Sequence, residues 1–346
     1  MDKKTRERHQ HQKMLFCGIG SVRALCGLLQ TDQRRLALLA QKPPYKTFSV
    51  PKKEGGERLI EAPGEELKRI LSRLNGLLQS AYFFEKSSAS YGFIVGVLND
   101  DDRRNVLTNA RKHAGRKYLL NVDLKDFFHY VSRDMVLKIF TGEPFRFKGE
   151  LADLLADLTT FQGRLPMGAP TSPVLSNFAC HDLDAGLITL SENLLWVYTR
   201  YADDMSFSAN QPFNAEKIAS VGALIHNAGF VVNQQKIKIF GPGDEKIVTG
   251  LLVTDTVALA PDFLPRLEAD ISHLQQIMKA QNEQGQLLTK WVEQFKKQII
   301  GRLNFAGFVL KKSNDAYIRL KDAYYTAINP PEDEFGAVSW RAFPYN

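Results

Sequence analysis

Residues 194–209 read LLWVYTRYADDMSFSA, with two β-prone runs on either side of Ala202-Asp203. This pattern predicts a β-hairpin whose turn carries two adjacent carboxylates. Beyond the turn, polar and apolar residues alternate in the order Asp204, Met205, Ser206, Phe207 and Ser208. Successive side chains of a strand point to opposite faces, so the acidic hairpin tip is expected to be backed by buried apolar residues. The alternative is an ordinary solvated Asp-Asp turn.

A third carboxylate distinguishes these alternatives. RKYLLNVDLKDFFHY, residues 116–130, predicts a mainly apolar strand that ends at Asp123, whereas Asp126 is interpreted as a surface or capping carboxylate on the following turn. Three carboxylates on two neighbouring strands repel one another, and burying them unpaired costs several kcal/mol. A divalent cation removes that cost, and Mg²⁺ prefers a few carboxylates plus substrate phosphates. The sequence therefore predicts a site for two Mg²⁺ ions that supports phosphoryl transfer.

Composition narrows the class of protein. The 346 residues are 44% hydrophobic, and no apolar run is long enough to predict a transmembrane helix. Three cysteines are too few for a disulfide framework, which favours a reducing intracellular setting. The net charge is +7, and it is concentrated at one end: residues 1–53 hold 12 Lys and Arg against 3 Asp and Glu, and the other 293 residues hold 33 against 35. A local basic excess of this kind favours a polyanionic partner.

Periodicity along the chain indicates an α+β protein. Leucines recur at helical spacing before Pro43-Pro44, which ends that segment because proline cannot continue a helix. A hairpin with a Gly55-Gly56 turn is predicted next, followed by a helix over residues 64–84. Strands and helices mix over residues 117–256, and a helical pattern returns from residue 261 to 309.

Three motifs in this order resemble those of reverse transcriptases. Tyr201-Ala202-Asp203-Asp204 is similar to the family's metal-binding hairpin, and Asp123 followed by Phe127-Phe128 is similar to its first palm motif. Between them, LPMGAPTSPVLSN at 165–177 resembles the family's LPxGxxxSPxxxN segment. Two further segments, Asn109-Ala110-Arg111-Lys112-His113 and Val248-Thr249-Gly250, resemble the NAxxH and VTG motifs of bacterial retron reverse transcriptases.

The resemblance implies a right-hand polymerase fold with fingers, palm and thumb. It implies the following division of the chain: a basic helical N-terminal extension at 1–45, fingers at 46–118, a palm at 119–256 with a second fingers part at about 131–170, a helical thumb at 257–325 and a tail at 326–346.

The resemblance also assigns roles within the polymerase site. Asp123 and Asp203 are the expected ligands of both Mg²⁺ ions, with Asp204 as a closer support for one of them, and the substrates are dNTPs. Phe128 is the expected steric gate against the ribonucleotide 2′-OH. The other expected nucleotide-binding residues are Arg58, Lys52 or Lys53, Gly168, Ala169, Pro170 and Lys236, with Lys238 as an alternative to Lys236.

Contacts to RNA and to the primer are implied at a second set of positions. These are Asn109, His113, Tyr201, Val248, Thr249 and Gly250. One position departs from the family pattern: Met167 stands where glutamine is common, which removes a polar contact that this side chain could make to the nucleotide.

A retron enzyme would reverse transcribe a cognate structured noncoding RNA. Synthesis would start from a 2′-OH of that RNA and produce msDNA, a branched single-stranded DNA linked to RNA. The resemblance further implies antiphage defence, an effector protein encoded nearby, template removal by host ribonuclease H, and a location in the bacterial cytoplasm without membrane association.

Three other functions remain open from the sequence. One is another bacterial reverse transcriptase, intron-like or diversity-generating, although the segment after the predicted thumb is shorter than the extra domains expected of intron enzymes. Another is a non-catalytic RNA-binding scaffold, against which the three aspartates argue. The third is a template-independent polymerase that uses the same metal ions.

Overall fold

The computed structural model describes residues 3–51, 55–95, 102–284 and 289–329. Helices and strands mix throughout, so the predicted α+β class is confirmed. The chain divides into two compact units. The first runs to Thr249 and includes Val253–Asp255, and the second consists of Gly250–Leu252 and the residues from Thr256 onward.

The described helices and strands follow one another along the chain. The helices of the first unit are α1 (Lys3–Cys17), α2 (Val22–Leu29), α3 (Gln33–Gln41), α4 (Glu65–Glu85), α5 (Val106–Arg111), α6 (Phe127–Tyr130), α7 (Arg133–Thr141), α8 (Glu150–Thr159), α9 (Ser172–Ala179), α10 (His181–Asn193) and α11 (Ala215–Asn227), with a 3-10 turn at Gln234–Lys236. The strands are β1 (Tyr45–Pro51), β2 (Glu57–Pro63), β3 (Tyr118–Asp123), β4 (Val197–Tyr201), β5 (Asp204–Ala209), β6 (Lys238–Phe240), β7 (Ile247–Val248), β8 (Leu251–Val253) and β9 (Val257–Leu259). The helices described after β9 are α12 (Phe263–Gln284), α13 (Lys290–Leu310) and α14 (Asp315–Ile328).

An antiparallel sheet of four strands, in the order β4-β5-β3-β6, positions the predicted site. Strands β4 and β5 form the hairpin that the 194–209 pattern predicts. Met205 and Phe207 are fully buried, as the alternation requires. Ser206 and Ser208 are buried as well, so the polar face of β5 is covered by protein rather than by water.

The N-terminal helices belong to the hydrophobic core of the first unit. Phe16 of α1 is fully buried, and its ring lies 5.5 Å from that of Phe145 and 5.3 Å from that of Phe147. Leucines from α2 and α3 enter the same cluster as those of α4. The basic excess of this segment therefore sits on helices whose apolar faces are used for packing.

In the second unit, helices α12, α13 and α14 pack against one another. A side-chain carbon on Gly307 would meet the Tyr317 ring at 2.6 Å, so glycine permits the close approach of α13 and α14. None of the helices within the described ranges is both long and apolar enough to cross a membrane. The boundaries of fingers, palm and thumb remain predictions.

Candidate active site

Asp123 is the last residue of β3 and is buried, with 8% of its surface exposed. Its Oδ2 accepts a hydrogen bond from Lys236 Nζ at 3.0 Å, and its Oδ1 accepts one from Asn233 Nδ2 at 3.2 Å. The backbone N–H of Asn233 also donates to the Asp123 carbonyl at 2.8 Å. The segment before β6 therefore fixes both the backbone and the carboxylate of Asp123.

The hairpin tip brings the other two aspartates to the same place. The pairing of β3 with β5 sets Asp204 directly opposite Asp123. The Asp203 carbonyl accepts a hydrogen bond from the N–H of Leu124 at 3.1 Å, which joins the turn to the end of β3. Ala202 adopts a left-handed conformation with φ 58°, which reverses the chain at this point. The predicted cluster of carboxylates on two neighbouring strands is thus present.

The electrostatics show how crowded this site is. Asp204 is accessible to solvent but lies among many protein atoms, and burial together with the charges of Asp203 and Asp123 raises the pKa of its carboxyl to about 7. Burial also raises the pKa of Asp203, and the charge of Asp123 adds to that effect, whereas Lys236 and Arg58 oppose it. Burial alone would lower the pKa of Lys236, but its bond to Asp123 and the three negative charges raise it. Positive charge nearby therefore favours the ionised forms of Asp203 and Asp204.

Hard oxygen donors of this kind fit a divalent cation. Their present arrangement does not form a closed coordination shell, because in the described part of the chain no three Asp, Glu, His or Cys side chains converge closely enough to hold an ion. Lys236 instead supplies the positive charge at Asp123 Oδ2. Lys238, the alternative lysine, is exposed on β6 opposite Asn121, so Lys236 is the lysine next to the carboxylates.

Two of the predicted nucleotide-binding residues lie on structural elements near the carboxylates. Arg58 is exposed on β2, and its positive charge partly offsets the rise in the pKa of Asp203. Phe128 is half-buried in α6, with its ring 5.9 Å from that of Phe93, while the neighbouring Phe127 is in the core, as predicted. Lys52 and Lys53 lie outside the described residues.

The LPMGAP segment contacts the β1-β2 hairpin through its backbone. Met167 O accepts a hydrogen bond from Glu61 N–H at 2.8 Å. Gly168 has φ 142°, and a side-chain carbon there would meet the Glu61 carbonyl oxygen at 2.6 Å, so only glycine fits this approach. Ala169 is buried, Pro170 is half-buried, and Ser172 Oγ donates to the carbonyl of Pro166 at 2.7 Å.

Thr249 of the VTG motif contacts the first residue of the helix that contains Asn109, within the first unit. Thr249 Oγ1 donates to the carbonyl of Val106, the first residue of α5, at 3.1 Å, and α5 contains Asn109. Val248 is fully buried, and both Thr249 and Gly250 have positive φ, at 48° and 80°. This conformation makes a tight turn directly after β7.

His113 and Asn109, two of the residues predicted to bind RNA, are buried in the first unit. His113 is 1% exposed, and its ring nitrogens contact Ser208 Oγ at 2.8 Å and Thr199 Oγ1 at 2.7 Å. Asn109 is also 1% exposed. Both side chains are therefore covered by protein, because α5 and the turn after it lie over the polar face of β5, where His113 bridges β4 and β5. Their contacts to RNA stay a prediction. Tyr201 remains half-buried at the end of β4.

Because His113 is buried, the protein should lose stability in mild acid. Burial lowers the pKa of His113 to about 3. In the unfolded chain, His113 binds a proton at its ordinary pKa of about 6.5, whereas in the folded chain it does so only near pH 3. The contribution of neutral His113 to stability is therefore present above pH 6.5 and is lost as the pH falls. This linkage removes about 2 kcal/mol between pH 7 and pH 5.

Unfolding by denaturant at pH 7 and pH 5 measures this effect. The His113→Gln variant should show a smaller loss between the two pH values than the wild type, and His226→Gln, at an exposed histidine of α11, should behave as the wild type does. Identical pH dependence in the wild type and His113→Gln would contradict the proposed role of His113.

Comparisons with known proteins decide the family. The model of the family described as reverse transcriptase (RNA-dependent DNA polymerase) matches residues 50–286, more than half of the chain and all three aspartates. The chain belongs to this family. The family also accounts for the α+β polymerase architecture that the motifs predict.

Curated relatives of this reverse transcriptase are retron enzymes. The chain is 34% identical over 248 residues to the retron Mx65 reverse transcriptase of Myxococcus xanthus, a match that covers 65% of this chain and 55% of the relative. It is 29% identical over 254 residues to the retron Ec86 reverse transcriptase of Escherichia coli, covering 71% of this chain and 75% of the relative. The predicted resemblance to bacterial retron reverse transcriptases is confirmed. The chain thus spans about half the length of the Mx65 relative.

Among solved structures, telomerase from Candida albicans in complex with a TWJ fragment of telomeric RNA is similar to this reverse transcriptase. The TM-score is 0.46 at 10% identity, and the match covers 88% of this chain and 66% of that one. A similarity of this size adds nothing to the family assignment.

A buried ion pair supports the hairpin of this reverse transcriptase, and no sequence pattern identifies it. Arg200 and Asp184 are both fully buried and make two hydrogen bonds, of 2.8 Å and 2.7 Å. Arg200 Nη1 also donates to Asn177 Oδ1 at 3.0 Å and to the carbonyl of Ala202 at 3.1 Å. The guanidinium therefore holds the backbone of the residue that precedes Asp203. The only signal in the sequence is an arginine in a β-prone run.

Proposed function

We propose that this protein is the RNA-directed DNA polymerase of a retron. The observation that carries the proposal is the strand register that sets Asp123 opposite Asp204, with Asp203 in the adjoining turn. The substrates are dNTPs and the template is RNA. Membership of the reverse transcriptase family supports this reaction, and the retron relatives support the kind of RNA.

The three carboxylates provide the metal site of the proposed reaction. Asp123 and Asp203, supported by Asp204, would hold two Mg²⁺ ions, and these ions would lower the pKa of the attacking hydroxyl and neutralise charge on the triphosphate. A hydroxyl attacks the α-phosphate of a dNTP, and pyrophosphate leaves. Lys236 donates a hydrogen bond to Asp123, and its proposed role is to give a proton to the departing pyrophosphate.

The surrounding residues bind the nucleotide. The guanidinium of Arg58 suits a phosphate because its planar fork donates two hydrogen bonds, and Lys52, six positions earlier in the sequence, is proposed to bind the same phosphates. Phe128 excludes the 2′-OH of a ribonucleotide. Gly168, Ala169 and Pro170 offer a backbone surface to the incoming base, and Met167 contributes through its backbone.

The retron-specific part of the proposal concerns the RNA. The enzyme recognises a cognate structured noncoding RNA, starts synthesis from its 2′-OH and produces branched msDNA. Tyr201, Val248, Thr249 and Gly250 position the primer end, and Asn109 and His113 act indirectly by supporting the hairpin and the VTG turn. An effector protein encoded nearby, a role in antiphage defence, template removal by host ribonuclease H and a cytoplasmic location complete the proposal.

The nucleic acid that copurifies with the protein tests the retron proposal. We expect the protein, expressed with its own locus, to carry a DNA of discrete length that remains attached to RNA and shifts on a gel after treatment with a 2′,5′-debranching enzyme. The same preparation from Asp203→Asn should contain RNA without DNA. Linear RNA alone in the wild-type preparation would argue against a retron enzyme.

A further inference from the structure

Glu61 is a buried carboxylate, only 1% exposed, on strand β2, whose first three residues are exposed. Arg164 binds it through two parallel hydrogen bonds of 2.9 Å each. Glu61 Oε2 also accepts the N–H of Met167 at 3.1 Å and contacts His129 Nε2 at 3.3 Å. A carboxylate that is withdrawn from water in this way must keep its bonds, because losing one leaves a buried charge unpaired.

The ionised form of Glu61 is the one that these contacts stabilise. Burial alone would raise the pKa of its carboxyl, but the hydrogen bonds from Arg164 and from Met167 N–H, and the charges of Arg164 and His129, together lower it below its ordinary value. Glu61 and Arg164 therefore form a charged pair, and the fork geometry of the guanidinium fixes their orientation as well as their distance.

The Glu61–Arg164 pair lies where three elements of the proposed nucleotide site meet. Each element that the pair joins also carries a residue of the proposed nucleotide site. Glu61 is on the strand of Arg58, His129 follows Phe128 in α6, and Met167 precedes Gly168. The backbone bond from Glu61 to Met167 and the close approach at Gly168 fasten the hairpin to the loop at the same point.

We propose that Glu61 and Arg164 are positioning residues that set the geometry of the nucleotide pocket. They hold the phosphate-binding hairpin, the helix of the steric gate and the LPMGAP loop at fixed separations. They touch neither the aspartates nor Lys236 through any contact in the described chain, so they act on nucleotide affinity and sugar selectivity rather than on the chemical step. This inference rests on the proposed DNA polymerase function.

Glu61→Gln tests the inference because it keeps the shape of the side chain and removes its charge. We expect the KM for dNTPs to rise roughly 10-fold, the effect of weakening one charge-assisted bond, while kcat at saturating dNTP changes less than about 3-fold. Discrimination of dNTPs against ribonucleotides should fall in parallel, because α6 loses its contact to β2. Arg164→Lys should give a smaller effect of the same kind, since it keeps the charge and loses the fork.

Controls separate positioning from folding. Glu65→Gln changes an exposed glutamate just after the same strand and should leave KM, kcat and sugar selectivity unchanged. RNA binding and the unfolding midpoint confirm that each variant is folded; if Glu61→Gln does not fold, Arg164→Lys provides the measurement. Wild-type KM and sugar selectivity in the folded variants, or a fall in kcat with unchanged KM, overturn the inference. A wild-type protein that incorporates no dNTP overturns the proposed function instead.

Discussion

Asp203→Asn is expected to abolish DNA synthesis while leaving the fold and RNA binding intact. The substitution keeps the size of the side chain and removes one of the charges that a pair of divalent cations requires. Changing groups that only orient metal ligands already costs about 10–100-fold, so loss of a ligand should reduce the rate by more than about 100-fold. The turn itself should survive, because the contact of Asp203 to Leu124 is made by its backbone carbonyl.

Primer extension on an RNA template, with the polymerase in excess, measures this loss directly. Asp126→Asn is the matched control: Asp126 lies three residues after Asp123, is exposed, and makes no side-chain capping bond to α6. It should retain the wild-type rate. RNA affinity measured at several salt concentrations should be equal in all three proteins. Synthesis by Asp203→Asn at close to the wild-type rate would remove the hairpin from the active site.

The sequence was sufficient to predict the secondary structure around the site and the neighbouring strands of the three aspartates. It could do so because alternation along 194–209 and along 118–123 reports which residues share a face, and because a hairpin fixes its own register. The helix predicted at 64–84 is found at Glu65–Glu85 for the same reason, a regular apolar stripe.

The buried polar contacts could not be predicted, since they depend on residues far apart in the chain. In the sequence, Glu61 is one of several charged residues in the predicted hairpin. It becomes part of a buried ion pair only because the fold brings it to Arg164, 103 positions later. The burial of His113 also depends on residues far away in the chain. A histidine in a family motif is an attractive RNA ligand, but long-range packing places it between Thr199 and Ser208, where it supports the sheet.

Arg200→Met is expected to cause the largest loss of stability of any substitution considered. The substitution removes the guanidinium but leaves the Asp184 carboxylate fully buried. The hydroxyl of Tyr198 still donates a hydrogen bond to Asp184 Oδ1 at 2.8 Å. Breaking a buried ion pair on one side costs about 3–5 kcal/mol, because the other charge is left uncompensated. Burial opposes the charged state of Arg200, yet the charge and hydrogen bonds of Asp184 raise the pKa of the guanidinium, so Arg200 is charged in the folded protein.

Guanidinium chloride unfolding followed by circular dichroism measures the loss. Arg35→Met provides a control, because Arg35 forms an exposed ion pair with Glu66 and should shift the midpoint little. The double variant Arg200→Met with Asp184→Asn should recover part of the lost stability, since no charge then remains buried. If the double variant is less stable than Arg200→Met alone, the cost arises from packing rather than from the unpaired carboxylate.

Arg200→Met also separates two roles of the hairpin. At low temperature, where the variant is still folded, the carbonyl of Ala202 has lost its guanidinium donor, and the turn before Asp203 is held less firmly. We expect kcat to fall while the KM for dNTPs stays near the wild-type value, the opposite of the pattern expected for Glu61→Gln. The two buried ion pairs would then govern different parts of one site: Arg200 and Asp184 the aspartates, and Glu61 and Arg164 the nucleotide pocket.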